Sequence, residues 1–599
     1  LGIVYYEPMT QKLRLLAYFL ASGLMAPAFA APAQAPQQGS AQRQQALAAA
    51  ERVDDARVEL DAELFYELLL GEMYAYRGDA ATSVELLLDA ARRSGDEKVY
   101  QRTAQLALLS RSGTRATQVA EAWKSAFPQS RAASRYLLQV MLSTNQGEET
   151  GPLLKQEIAL AKPDEKLEWI RAIPSIYRRL SDQALAARIV REALTPELEN
   201  PATGPEAWAA IGRMELAADQ KTEALASARR SLQLNPDNES AAKLAADLVN
   251  AGVPGAESLV VDFLDKAKSG EAHLAYARSL MNAERFAEAK TQLENATRLS
   301  PDSADAWMLK AALEAQLKQY TEADVSLLKL DTLIDKFPSA VLQREVRIQS
   351  LMLREQMAEA QQKWAEADRW ADEIAKAGNA ALATLRKASV QMQQGNYDAS
   401  AALLEQLPEG NAGEARAKLA AQVQLQKTAK NYAKALELQT RMVELLPQDP
   451  DVLYEQAMLA ERLNNMDLAE TQLRKLIALQ PDFHHAYNAL GYSLADRGLK
   501  LDEAKTLIEK ALSMAPGDPF ITDSLGWVEF KLGNLDRAAQ LLEQAYTKQP
   551  DPEIGAHLAE VWLKQGKSQP AQDLLRTVHQ EAPNNDMVNK TMERLGIKP

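Results

Sequence analysis

The sequence predicts an all-α fold, a superhelical solenoid of stacked antiparallel helix pairs. Three observations predict it. The composition, rich in Ala, Leu, Gln and Glu with only 26 glycines and 26 prolines in 599 residues, favours helix. The length exceeds the ~250–300 residues at which a single core stops growing, so several domains or a repeat array are expected. The third observation is a period. Pro447, Pro481, Pro516, Pro550 and Pro583 follow one another at 34, 35, 34 and 33 residues. A small residue stands twelve positions before each: Ala435, Ala469, Ala504, Ala538 and Ala571. A small side chain there lets two helices of a hairpin approach closely, and the proline, lacking a backbone donor, ends the second helix.

The N-terminus reads as an address. Residues 1–8 precede Met9, after which come Lys12 and Arg14, an apolar run from Leu15 to Met25, and Ala28-Phe29-Ala30. This is the pattern of a secretory signal, with cleavage expected after Ala30. The run is shorter than the ~20 apolar residues of a membrane-spanning helix. Residues 31–45 are rich in Pro, Gln and Ala and read as a flexible leader. The expected organisation is then divergent helical repeats over 46–203, a central array over 204–380, a regular array over 381–583 and a capping helix over 584–599. An exported chain in the periplasm follows from the signal.

Within the regular array, a large apolar residue precedes a small one in each first helix, as in Leu490-Gly491, Leu525-Gly526 and Leu558-Ala559. Glycine inside a helix costs about 1 kcal/mol relative to alanine, and close contact with the partner helix would offset that cost. Trp208-x-x-Ile211-Gly212 with Ala224, Ala228 and Pro236 has the same layout. So does Tyr487-x-x-Leu490-Gly491-Tyr492 with Ala504, Ala511 and Pro516, apart from one inserted residue near Leu499. These spacings resemble the tetratricopeptide repeat, a helix–turn–helix of about 34 residues. Further units fall at 64–97, 270–303, 304–338, 381–415, 416–449, 450–483, 484–518, 519–551 and 552–583. Three stretches fit poorly. Over 131–200, Pro163, Pro174 and Pro196 are out of phase; residues 237–269 form a shortened unit around Gly252 and Gly255; and 341–378 is expected to carry a long second helix from Ala358 to Lys376, with Trp364 and Trp370 on it.

In the tetratricopeptide family the first helix of each pair lines a concave face. The family's face positions, carried onto the units beginning at Pro450, His484 and Pro519, give Tyr454, Asn488, Tyr492, Asp496, Asp523, Trp527, Phe530 and Lys531 as a candidate protein-binding groove. Aromatic residues beside Asn, Asp and Lys can anchor a peptide by burial and orient it by hydrogen bonds.

Chemistry is sparse by comparison. The chain has no cysteine, which excludes disulfides, thiolate zinc sites and cysteine nucleophiles, and only five histidines. No metalloprotease, serine-hydrolase or phosphate-loop motif is present. Adjacent His484 and His485 point about 100° apart on a helix and do not form a chelating pair. Neither a catalytic residue, a cofactor nor a metal is expected. A net charge of −14 disfavours nucleic acid as a partner.

The export signal, the near-600-residue repeat layout and the runs Asn488-Ala489-Leu490-Gly491-Tyr492 and Asp523-Ser524-Leu525-Gly526-Trp527 carry a closer resemblance. The chain resembles the large tetratricopeptide proteins of gammaproteobacterial envelopes, among them the pseudomonad adaptors of a periplasmic carboxyl-terminal processing protease. The resemblance implies a non-catalytic adaptor that holds the protease and its substrates, cell-wall hydrolases. It also implies association with the outer membrane, but the lipid anchor of those adaptors needs a cysteine and Leu24 stands in its place. The alternative expectation is a scaffold of an exopolysaccharide or outer-membrane secretion complex.

Overall fold

The computed structural model describes residues 62–598 apart from residue 111. The signal-like segment, the leader and the first residues of the divergent region lie outside the described residues. Every regular element among the described residues is helical. These residues fall into two compact units, one ending at Leu333 and one beginning at Ile334.

The first unit opens with α1 (Ala62–Tyr76), α2 (Ala80–Ser94), α3 (Glu97–Leu109) and α4 (Gly113–Ala126). It continues with α5 (Arg131–Ser143), α6 (Thr150–Leu160), α7 (Pro163–Tyr177) and α8 (Gln183–Leu194). Then follow α9 (Gly204–Ala217), α10 (Lys221–Leu234), α11 (Glu239–Asn250) and α12 (Ala256–Leu264). It closes with α13 (Gly270–Asn282), α14 (Phe286–Leu299), α15 (Ala304–Gln316) and α16 (Tyr320–Ile334). The out-of-phase prolines are accommodated individually. Pro163 starts α7, where a missing N–H costs nothing, Pro174 lies inside α7, and Pro196 sits in a 3-10 turn over Thr195–Glu197. The shortened unit is α11 and α12, whose connection carries Gly252 and Gly255 in left-handed conformation.

The second unit begins with α17 (Ala340–Ala360), α18 (Trp364–Lys376), α19 (Ala380–Gln393) and α20 (Tyr397–Glu405). Next come α21 (Ala412–Thr428), α22 (Tyr432–Leu445), α23 (Pro450–Arg462) and α24 (Met466–Leu479). The last are α25 (His484–Asp496), α26 (Leu501–Met514), α27 (Pro519–Lys531), α28 (Leu535–Lys548), α29 (Pro552–Lys564), α30 (Ser568–Glu581) and α31 (Asp586–Leu595). One expectation is corrected here. The long helix of the divergent unit is the first of its pair, α17, with 21 residues, and no helix runs from Ala358 to Lys376. The chain turns at Gln361–Lys363, where Gln362 is left-handed at φ 57°, so Trp364 and Trp370 lie on the shorter α18.

The periodic residues do what their size suggests. Ala435, Ala504, Ala538 and Ala571 are fully buried and Ala469 nearly so. A Cβ added at Gly491 would stand 2.6 Å from Ile508 Cγ1 and 2.8 Å from the Ala504 carbonyl oxygen. The hairpin α25–α26 closes only because nothing larger than hydrogen is there. Each periodic proline follows the last residue of its second helix by two positions. Three first helices share a start absent from the periodic argument. Asp449, Asp518 and Asp551 each cap the two following backbone N–H groups beyond a proline at the first helical position.

Turns between the helices of a pair take a left-handed residue whether or not it is glycine. Asp219, Glu284, Lys318, Gln362, Lys430 and Asn464 occupy it at φ 57–59°, and Gly395, Gly533 and Gly566 occupy it elsewhere. The inserted residue near Leu499 is absorbed by two left-handed positions, Gly498 and Lys500. At the C-terminal end, α31 lays Val588 and Met592 into the last pair beside Leu575 and Val578, and Arg594 makes a double ion pair with Glu560 at 2.6 Å. The helix thus buries one apolar face and leaves Asp586, Lys590 and Glu593 exposed on the other.

Candidate functional site

Three successive first helices, α25, α27 and α29, bring six of the eight candidate groove residues into one network. Trp527 on α27 is its centre. Its indole stacks on the His557 ring from α29 with centroids 4.1 Å apart and lies 5.1 Å from Phe530. Its Nε1–H donates to Asp496 Oδ1 on α25 at 3.2 Å, and the Lys531 ammonium sits 4.8 Å over the ring. Lys531 Nζ also donates to the Asp496 carbonyl oxygen at 3.0 Å. His557 Nδ1 lies 2.9 and 3.1 Å from the two carboxylate oxygens of Asp523, and its Nε2 lies 3.4 Å from the Tyr492 hydroxyl.

Electrostatics follows from this enclosure. Burial alone would pull the His557 pKa down, but the Asp523 carboxylate on Nδ1 reverses that and holds it above the ordinary histidine value. Burial drives the Tyr492 hydroxyl well above the usual phenol range, with Asp496 and Asp523 adding to the effect. Glu461 on α23 is pushed up to about 7 by burial, against a hydrogen bond to Ser493, and burial also raises Glu553 on α29. The wall is therefore acidic in composition, with part of its charge suppressed near neutral pH.

The structure divides the candidate residues into two groups. Tyr492, Asp523 and Trp527 are 6%, 6% and 3% exposed, so these three do not face solvent as a groove lining would. The physical reason is that Asp523 and Trp527 find their polar partners one repeat away and Tyr492 finds its own two repeats away, so three successive first helices close around the rings. Tyr454, Asn488, Asp496, Phe530 and Lys531 are half-buried and keep an accessible edge. Tyr454 stands apart from the network, packed edge-on against Phe483 at 5.6 Å and near His485 at 6.5 Å. Asn488 carries the one unmet need among these residues: its Oδ1 is buried without a hydrogen-bond partner.

Sequence reasoning missed His557, Glu461 and Glu553. The signal for His557 was present, since it follows Asp523 by 34 residues, one repeat period, which places an acid and a base on neighbouring first helices. Among the described residues no group of three or more His, Asp or Glu is arranged to hold a metal ion. No described helix is long and apolar enough to cross a membrane.

Family models of the tetratricopeptide repeat match residues 274–325, 454–519 and 529–595. These are tetratricopeptide repeats. They cover α23–α31 almost without a gap, so the network just described lies on the first helices of tetratricopeptide units. A TPR repeat-containing protein of Pseudomonas aeruginosa is 46% identical over 114 residues, 19% of this chain and 19% of that protein. A chloroplast PsbB mRNA maturation factor of Chlamydomonas reinhardtii is 34% identical over 88 residues, 14% of this chain and 13% of that protein. The chain thus spans less than a fifth of the length of either relative. Among solved structures, a thermophilic TPR protein of Thermus thermophilus aligns at 25% identity and a TM-score of 0.28, covering 30% of this chain and 98% of its own. A tetratricopeptide repeat protein of Parabacteroides merdae aligns at 15% identity and a TM-score of 0.35, covering 41% and 98%. Tetratricopeptide arrays are in general non-catalytic scaffolds for binding other proteins.

Proposed function

We propose that this chain is an exported, non-catalytic adaptor that holds other proteins on the first-helix face of α23–α29 and brings a carboxyl-terminal processing protease to its substrates, the cell-wall hydrolases. The observation that carries the binding role is the half-buried rim of Tyr454, Asn488, Asp496, Phe530 and Lys531, set on tetratricopeptide first helices. Tyr454 and Phe530 supply apolar contact to an extended partner, and the half-buried edges of Asp496 and Lys531 supply polar contact beside them. The buried network beneath fixes the rim in place and contributes stability more than contact. The signal-like residues 9–30 and the resemblance to envelope adaptors support export and the protease partner.

The test is photo-crosslinking in intact cells with a probe at Asn488, followed by identification of the captured protein. Capture of a periplasmic protease or a cell-wall hydrolase supports the adaptor. Capture of an outer-membrane barrel or a polysaccharide synthase subunit overturns it in favour of a secretion scaffold. Tyr454→Ala should weaken binding of the captured partner by about 1–3 kcal/mol with unchanged helicity, measured by titration calorimetry.

A further inference from the structure

We propose that Glu355 and Glu359 of α17 share one proton, and that this proton locks α17 to α19 and makes their joint the place where the second unit responds to pH. Two carboxyl groups meet a single guanidinium there. Arg386 of α19 donates from Nε to Glu355 Oε2 at 2.8 Å and from Nη2 to Glu359 Oε2 at 2.8 Å. The Glu355 side chain is wholly buried and that of Glu359 is 11% exposed. In each carboxyl group the second oxygen, Oε1, is buried and has no hydrogen-bond partner. The two groups stand one helical turn apart, within hydrogen-bonding reach of each other. Two acceptors so placed repel. One proton between them turns the repulsion into a hydrogen bond and accounts for the orphaned oxygens.

Glu355 also occupies a place that the repeat elsewhere keeps small. Nine residues before the first residue of the second helix, other pairs carry Gly212, Ala277, Ala388, Ala457 and Gly526. In α17 a carboxyl group stands where those hairpins close on nothing larger than a methyl group. Apolar packing around it is thin: Met352, Ile374 and Ala383 form one buried cluster, and Ala358, Ala367 and Val390 form another. A buried carboxylate without full compensation is unfavourable, and Arg386 brings one positive charge to two negative ones.

Among the described residues, the charged groups that act on Glu355 are Arg386 of α19 and Glu359 of its own helix. The other helix packed on α17, α18, directs Asp372 to Lys387 of α19 at 2.6 Å. Arg354 of α17 donates to Ser350 Oγ at 2.6 Å and lies 5.4 Å over the Trp370 ring of α18. Burial lifts the Glu355 pKa, Arg386 works against that, and Glu359 adds to it, for a result of about 8. This folded value stands above the unfolded one of 4.5, so the stabilisation from the proton is whole below pH 4.5, declines as pH rises and is gone above about 8. With both groups ionised beside one guanidinium, the joint between α17 and α19 opens.

Hydrogen exchange on the full chain, corrected for intrinsic rates, tests this. Between about pH 6 and about pH 9, protection of α17 and α19 amides should fall at least ~10-fold more in the unaltered chain than in Glu355→Gln. Amides of α27 should respond alike in both. Glu359→Gln leaves one carboxylate for one guanidinium and should remove most of the same loss. A second measurement needs no variant. In infrared spectra of the unaltered chain, the band of a protonated carboxyl group should outlast the titration of Glu461 at about 7 and vanish near 8. Equal loss of protection in the unaltered chain and Glu355→Gln, full loss retained in Glu359→Gln, or no carboxyl band above the Glu461 step would each overturn the proposal.

Discussion

The helices from α23 to α30 and those from α5 to α8 solve one packing problem with opposite means. In the first region small residues carry the contact: fully buried Ala504, Ala538 and Ala571, and Gly491 and Gly526 where no Cβ fits. In the second, large ones share the contact with alanines such as Ala186 that follow no 34-residue period. Ile170, Ile173 and Tyr177 are fully buried and fill the space between helices. The Tyr177 hydroxyl donates to Thr150 Oγ1 at 3.0 Å, and Thr150 in turn donates to the Gly147 carbonyl at 2.6 Å. A fully buried carboxylate, Glu157, is held by Arg135 at 3.0 Å, whose guanidinium lies 4.7 Å over Trp169. A close approach demands Ala or Gly at fixed places, whereas a wide gap can be filled by many side chains. Constraint of the first kind leaves a period in the sequence; constraint of the second kind does not.

The largest break in this comparison should come from Trp527→Ala, which removes the centre of the α25–α27–α29 network. It should destabilise the regular repeats by about 3–5 kcal/mol, read from urea unfolding by circular dichroism. Next is Asp523→Asn, which leaves buried His557 without its counter-charge and should cost about 2–3 kcal/mol at pH 6. The sign of its pH dependence follows from the raised His557 pKa: stability from the pair is fully present below the unfolded value near 6.5 and is lost as pH rises through the folded value. Asp523→Asn should flatten that slope above pH 6.5, and a parallel slope would mean that another group governs it.

Glycine substitutions sharpen the contrast between regions. Gly491→Ala meets the Ala504 carbonyl at 2.8 Å and should cost about 1–3 kcal/mol, because backbone cannot yield. Gly147→Ala meets only the Leu180 side chain, nearest atom 2.6 Å, which can change rotamer, and should cost less than Gly491→Ala in the same assay. The smallest effect expected is that of Tyr177→Phe. It removes one buried hydrogen bond without changing the packing and should lower stability by about 1 kcal/mol, with the loss confined to α5–α8 by hydrogen exchange.

Much of the fold was legible because the period is written in residues whose size is constrained. Pro481, Pro516 and Pro550 located helix ends, Ala469, Ala504 and Ala538 located close contacts, and the shortened unit showed in Gly252 and Gly255. The position of the long helix was misjudged. Gln362 turns the chain in a left-handed conformation that no residue type at that place announces, and the alanines around it suit a continuous helix. Of the candidate wall, the structure brings six residues into one network and buries three of them. Family positions pointed to Tyr492, Asp523 and Trp527, but burial depends on how far neighbouring first helices close over one another, a distance that one helix's sequence does not encode. His557 became meaningful only beside Asp523.

The left-handed turns have a practical consequence. Residues as different as Asp219, Lys318, Gln362 and Asn464 share φ values of 57–59°, so docking of the flanking helices imposes the bend and the identity of the bend residue matters little. The loop after α25 goes further, taking in one additional amino acid with Leu499 left 49% exposed while α26 still docks. Such places are natural ports for grafting: a fluorescent label or an epitope inserted beside Leu499 would ride on the outside of a hairpin that has already shown it can tolerate extra length.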